Sequence, residues 1–181
     1  MEAATLSLVL EPRAEEIHEP EFSAYAPLVR FEAFLAAQRL FGWVRLDADR
    51  LTDLLNTHDL LGLTNVLVEE SRDGNAVLAD ETLIPTSEII AVVAGGPRGD
   101  PSRRVETRAH PVLVEAGAYR VGGKLHAAPG VDPANRFWDG DHMVPLTDAW
   151  LEYPWGERCR RDVRATVVVN RPAVTSFQVL R

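Results

Sequence analysis

The sequence is poor in cysteine, with Cys159 as its only thiol. A single cysteine excludes an internal disulfide framework and any zinc site built from several cysteines. Long apolar runs are also missing, since none reaches the ~18–20 residues that a membrane-spanning helix needs. The first residues lack the basic start of a secretory signal. We therefore expect a cytoplasmic protein that does not associate with membranes.

Lysine is nearly absent, and the charge is unevenly distributed. Lys124 is the only lysine among 19 basic residues, which face 27 acidic ones. Residues 1–97 hold 6 Lys or Arg against 17 Asp or Glu, whereas residues 98–181 hold 13 against 10. An acidic half repels nucleic-acid phosphates, so nucleic acid is a poor candidate partner. The short basic clusters of the second half are typical of solvated surface loops. The alternative is that the basic half docks on the acidic half of its own chain or of a neighbouring one.

Recognised catalytic signatures are missing as well. The sequence has no phosphate-binding loop, no dinucleotide fingerprint and no Gly-x-Ser-x-Gly element. We therefore expect no cofactor and no enzymatic activity.

The densest polar cluster follows Trp138. Asp139, Asp141 and His142 offer carboxylate and imidazole ligands for a divalent metal. Their spacing matches no established ligand pattern, and a solvated Asp-Gly turn is the favoured interpretation. A metal-dependent enzyme at this loop is therefore an alternative function.

Internal similarity organises the chain. Residues 39–44 align with 120–125 at an offset of 81, residues 63–70 with 146–153 at 83, and residues 82–90 with 166–174 at 84. Blocks in the same order with compatible gaps indicate a duplicated unit.

Each unit has the pattern of five short β-strands. In the first unit these cover 29–34, 40–46, 65–70, 82–85 and 88–94, and in the second 112–115, 119–127, 148–153, 165–169 and 173–180. A glycine inside each second strand predicts a bulge or a tight bend. Residues 49–56 predict a short helical turn, which the second unit replaces with a loop at 130–138. The sequence thus predicts a mainly β protein of two small five-stranded barrels, at 22–94 and 105–181, joined by a linker at 95–104.

Several positions carry a family resemblance. Gly42 and Gly123 each begin a glycine-plus-hydrophobic stretch, and Asn65 and Asp148 precede alternating strands. Together with the turns at 84–89 and 169–174, these positions resemble Sm-like (small SH3-like) β-barrels, including bacterial ones of unknown function. The Arg-Gly pair of that family would fall on 85–86 and 170–171, and neither turn keeps it.

The resemblance implies how the units associate. Sm-like barrels assemble when the fourth strand of one pairs with the fifth strand of the next. The two units would then form part of a larger assembly or satisfy each other's edges within one chain. We expect a non-enzymatic interaction or assembly module that forms a homo-oligomer or binds a protein partner.

Six polar residues are candidate ligand or RNA contacts. The resemblance places Asn65, Asp148, Asn170 and Arg171 where Sm proteins bind a base, which makes single-stranded RNA binding an alternative function. Asp53 and Asn56 form a polar pair that lines a ligand pocket or bonds to helical backbone.

Overall fold

The computed structural model describes residues 26–95, 102 and 105–181. The first unit, residues 26–95, contains β1 (Leu28–Phe34), β2 (Gln38–Arg45), α1 (Leu51–Thr57), β3 (Leu60–Glu70), β4 (Ala76–Pro85) and β5 (Ala91–Ala94). The second unit, residues 105–181, contains β6 (Arg108–Ala116), β7 (Tyr119–Ala127), α2 (Pro133–Trp138), β8 (Met143–Trp155), β9 (Arg158–Asn170) and β10 (Ser176–Val179). A short 3-10 turn precedes both β5 and β10. The predicted start at residue 22, and the linker apart from residues 95 and 102, lie outside the described residues.

The strands pair into one antiparallel sheet, so the prediction of a mainly β protein is confirmed. The strand order is β10-β6-β7-β8-β9-β5-β1-β2-β3-β4. Five neighbouring strands come from each unit, and β5 joins the units by pairing with β9. Within the described residues the terminal strands β4 and β10 do not pair with each other, so the sheet is open. Neither β4 with β5 nor β9 with β10 is a neighbouring pair, so two separately closed barrels are not found. The fifth strand of the first unit leaves β4 at the 3-10 turn and lies between β1 and β9.

Glycine bulges interrupt both units at matching places. The β2–β3 register shifts at Gly42, and the β7–β8 register shifts at Gly123. A Cβ on Gly42 would lie 3.2 Å from the Thr64 carbonyl oxygen, and one on Gly123 would lie 3.1 Å from that of Thr147. A side chain at either position would therefore be crowded against the neighbouring backbone, and the register shifts confirm the predicted bulges.

The register also corrects the alignment of the later strands. Leu63 lies opposite Thr82, and the matching Leu146 lies opposite Val167. Residues 82 and 167 differ by 85, so the predicted offset of 84 is wrong by one residue. Strand pairing depends on contacts between distant segments, which sequence similarity alone does not report.

The predicted loop at 130–138 is also wrong, because it contains α2. The Asp132 carboxylate accepts hydrogen bonds from the backbone N–H groups of Ala134 and Asn135, at 2.8 and 3.2 Å. Pro133 occupies the first turn, where its missing N–H costs nothing. The helix buries Phe137 completely, stacked on Phe177 of β10.

Two hydrophobic cores meet at the β5–β9 junction. The first core is built mostly from the first unit, and Met143 and Val168 of the second unit complete it. The second core is built mostly from the second unit and includes Phe34 and Ala91 of the first. Because each unit supplies buried residues to the other core, the units stabilise one another.

Candidate functional site

The junction between the units is a short, dry strand pair. Val92 of β5 lies opposite Val168 of β9, and both are fully buried. The Asn170 N–H donates to the Ile90 carbonyl at 2.9 Å. Alternate residues of an antiparallel strand direct their backbone groups to the same neighbour, so residues 168 and 170 face β5.

The side chain of Asn170 fastens the same junction. This residue is only 3% exposed. Its Nδ2 donates to the Ile89 carbonyl at 2.7 Å and lies 3.4 and 3.5 Å from the Thr86 and Ser87 carbonyls. Asn170, predicted as a ligand contact, therefore holds the 3-10 turn of the other unit.

Asn56 forms a second polar contact between the units. Its Oδ1 accepts from the Met143 N–H at 2.9 Å, and its Nδ2 donates to the Met143 carbonyl at 3.1 Å. The Asn56 amide also bonds to the Thr52 carbonyl within α1. Asp53, its predicted partner, instead accepts two hydrogen bonds from Arg50 at the start of the helix. The Arg50 Nη2 lies 2.7 Å from Oδ1, and the Arg50 Nε lies 2.9 Å from Oδ2. This hydrogen bonding raises the pKa of Arg50.

Asn65 and Asp148 occupy equivalent left-handed positions in the two bulged strands. Both have a φ of 47°, and no other non-glycine residue in the described part of the chain has a positive φ. Asp148 also binds Lys124, with Oδ2 and Nζ 2.8 Å apart, and this hydrogen bond lowers the pKa of Asp148. A conformational role therefore accounts for asparagine and aspartate at these positions.

The remaining predicted residues are not gathered into a site. The Arg171 N–H donates to the His142 carbonyl at 2.7 Å, and the Asp139 N–H donates to the Asn135 carbonyl at 2.9 Å. Asp141 is exposed. Over residues 26–95, 102 and 105–181, no group of three or more His, Cys, Asp or Glu side chains is placed to hold a metal ion.

A charge cluster that the sequence did not reveal lies beside the junction. Arg39 is nearly buried, and its Nη2 lies 2.5 Å from Glu32 and 3.7 Å from Asp162 of the second unit. Arg164 completes the link, with Nη2 2.9 Å from Asp162 and 3.5 Å from Glu32. The opposite charges of Arg39 and Glu69 are a sequence signal for the cluster, but recognising them as a pair requires the β2–β3 register.

Aromatic rings and an open cavity surround the cluster. The Arg39 guanidinium lies 4.3 Å from the centre of the Phe41 ring and 5.1 Å from that of Tyr153. A cavity of about 510 Å³ borders Arg39, Phe41 and Trp43. Glu69 also lines this cavity. Burial raises the pKa of its carboxyl, and the positive charge of Arg39 offsets only part of that rise. The cluster therefore ties β1, β2 and β3 of the first unit to β9 of the second.

Both ends of the sheet expose apolar side chains, and at the β4 end two of these have buried counterparts at the junction. Leu83 of β4 is 69% exposed, whereas Val168, at the matching position of β9, is 0% exposed. Leu60 is 52% exposed, whereas the matching Met143 is 2% exposed. The exposed apolar residues of these ends are Leu60, Val77, Leu78 and Leu83 beside β4, and Trp138, Val179 and Leu180 beside β10. At Leu60 and Leu83, the β4 end thus resembles one half of the internal junction.

Comparison of the chain with protein-family models, with curated proteins and with solved structures found no match. Among the described residues, no helix is long and apolar enough to cross a membrane. The fold and the junction define the chain as a mainly β protein with an open, edge-exposed sheet.

Proposed function

We propose that this protein is a non-enzymatic assembly module of two duplicated, Sm-like five-stranded units, which associates with further copies through its sheet ends. The observation that carries the proposal is the β5–β9 pairing, a fifth strand joined to a fourth strand. The sheet ends are the remaining fourth strand, β4, and the remaining fifth strand, β10. One copy's β10 would therefore pair with β4 of the next.

The internal junction specifies the register of that contact. In the β1–β5 and β6–β10 pairs, Val92 and Phe177 occupy matching positions, as do Val168 and Leu83 in the fourth strands. Since Val92 lies opposite Val168, Phe177 of one copy would lie opposite Leu83 of the next. Unpaired edges invite this kind of pairing.

The duplication and the Sm-like class are supported by local geometry. Gly42 and Gly123 bulge at matching places, and Asn65 and Asp148 share the same left-handed conformation. Each unit also has the strand order fifth-first-second-third-fourth. These shared features belong to the backbone, so they support duplication independently of the weak sequence similarity between the two units.

Pro85 makes the contact between copies weaker than the internal one. It occupies the position of Asn170, whose N–H and side chain both bond across the junction. Proline has neither group to donate, and it is a residue that protects edge strands. We therefore expect association that is reversible and depends on protein concentration.

Light scattering of the purified chain at a series of concentrations tests the proposal. We expect the mass to rise above the 20.0 kDa of one chain. Leu83→Lys should return it towards one chain, because the lysine charge would be buried between the strands. Val163→Lys is the matched control, because Val163 is 78% exposed on β9 but lies outside the proposed contact.

Two results would overturn the proposal. A single-chain mass at every concentration would show that the sheet ends do not bind one another. Equal masses for the two lysine variants would show that association uses another surface.

A further inference from the structure

We propose that Trp138 anchors the contact between copies by packing on Leu60 of the next copy. This inference rests on the proposed function and adds a second point of contact to the strand pairing. It follows from a second feature of the internal junction, the contact of α1 with β8.

The target of the anchor is set by the strand register. Met143 lies opposite Asn170 in the β8–β9 pair, and Leu60 lies opposite Pro85 in the β3–β4 pair. Leu60 therefore occupies, on the surface that would face the next copy, the position that Met143 occupies against α1 within the chain. Met143 is covered at that place, and Leu60 is half exposed.

The anchor itself is set by the helices. Asn56 directly follows Leu55, a buried residue of α1, and Trp138 directly follows Phe137, the buried residue of α2. Trp138 is 43% exposed. Its ring lies 5.1 Å from that of Phe137 and 6.3 Å from that of Phe177, both in edge contacts. It is therefore held in place beside the free β10 edge.

The internal junction and the proposed contact between copies use different kinds of side chain at matching positions. Inside the chain Asn56 and Asn170 bond to backbone groups, whereas at the ends the matching residues are Trp138 and Pro85. The contact between copies thus depends on apolar burial where the internal one uses hydrogen bonds. A tryptophan that fills an apolar site at the centre of a contact is the usual energetic anchor of a protein interface.

A double-mutant cycle on association tests the anchor. Trp138→Ala and Leu60→Ala should each raise the dissociation constant, the former by about 10-fold or more. The double variant should be little weaker than Trp138→Ala alone, because the two side chains share one contact. Val163→Ala is the control, since Val163 is 78% exposed on β9 and lies outside the proposed contact.

A cross-link separates this inference from the proposed function. In a Cys159→Ser background, one chain carries Gln178→Cys and a second carries Thr82→Cys, positions matching the Val93–Val167 pair. Neighbouring cysteines across an antiparallel pair reach disulfide distance. We expect a cross-linked heterodimer. Its yield should fall when Trp138→Ala is added to the chain that carries Gln178→Cys.

The outcomes are distinct. A cross-link that forms equally well with Trp138→Ala, or additive effects in the cycle, would overturn the anchor and leave the strand pairing intact. Wild-type protein that stays a single chain would overturn both. Because Leu60 is exposed, Leu60→Ala keeps the test valid even if Trp138→Ala perturbs α2.

Discussion

Asn56 pairs with the backbone of Met143 as a neighbouring strand would, accepting its N–H at 2.9 Å and donating to its carbonyl at 3.1 Å. The two residues are 87 positions apart and belong to different units. One amide side chain thereby satisfies both polar groups of Met143 next to the β5–β9 junction. Asn56 therefore supplies a polar contact between the two units.

We expect Asn56→Ala to lower the free energy of unfolding by about 1–3 kcal/mol. The substitution leaves the N–H and carbonyl of Met143 without their partner beside the junction. Urea denaturation measures the change. The control is Asn75→Ala, because Asn75 is exposed and its side chain bonds to Asp73 in the β3–β4 turn. Equal midpoints for the two variants would contradict a role for Asn56 in joining the units.

Asn170→Ala should destabilise the protein by a similar amount, about 1–3 kcal/mol, through the other side of the junction. The change removes the Nδ2 group that donates a hydrogen bond to the Ile89 carbonyl, and it leaves a small cavity at a buried position. Because Asn56 and Asn170 act on the same junction, the losses in the double variant should differ from the sum of the single losses. Strict additivity would show that the two contacts are energetically independent.

Local features of the fold followed from the sequence. The glycines within β2 and β7 predicted bulges, and the predicted β7 at 119–127 has the observed bounds. These are effects of one residue type on its own backbone. Asp132 before Pro133 is a helix-capping pattern that also indicates the start of α2, although the prediction for residues 130–138 was a loop.

Features that depend on distant contacts did not follow. β8 and β9 extend over 13 residues each because they pair along their whole length, although Pro145 and Pro154 would normally end a strand. The polar character of Asn56 and Asn170 marked them as functional candidates. Their role in joining the units depends on partners more than 80 residues away, which no local pattern specifies.

Substitutions at Asn65 should separate a conformational role from a ligand contact. With φ at 47°, glycine is accommodated, whereas a β-branched residue is strained. We expect Asn65→Gly to change the free energy of unfolding by less than about 1 kcal/mol and Asn65→Val to lower it by about 1–2 kcal/mol. Thermal and urea unfolding measure both. A larger loss with glycine than with valine would show that the asparagine side chain matters more than its backbone.

Glu69→Gln should stabilise the protein at pH 7. Burial raises the pKa of Glu69 in the folded state, so the folded protein binds a proton more readily than the unfolded chain. The free energy of unfolding therefore falls as pH rises from the ordinary glutamate pKa through the raised one, and the penalty persists above it. Glutamine removes this fall. Urea titrations between pH 4 and pH 7 measure it, with exposed Glu106→Gln as the control. A gain for Glu69→Gln that grows at low pH would contradict this sign.

Gly122→Ala should destabilise the second unit, whereas Gly62→Ala should not. Gly122 lies opposite Trp150 across the β7–β8 pair, and an added Cβ would lie closer than 3.0 Å to the indole ring. That ring also packs under Arg161, whose guanidinium is 3.9 Å from its centre, so it cannot move without losing this contact. We expect a loss of about 1–3 kcal/mol from overpacking.

The control shares the strand setting without the crowding. A Cβ on Gly62 of β3 would meet only the Leu83 side chain, at 3.6 Å, which is an ordinary contact. Gly62→Ala should therefore leave stability unchanged or raise it by up to about 1 kcal/mol, because alanine restricts the unfolded chain. Near-ultraviolet circular dichroism reports the tryptophan environment, and its signal should change in Gly122→Ala alone. Equal unfolding midpoints for the two variants would show that Trp150 can leave the face of Gly122 at little cost.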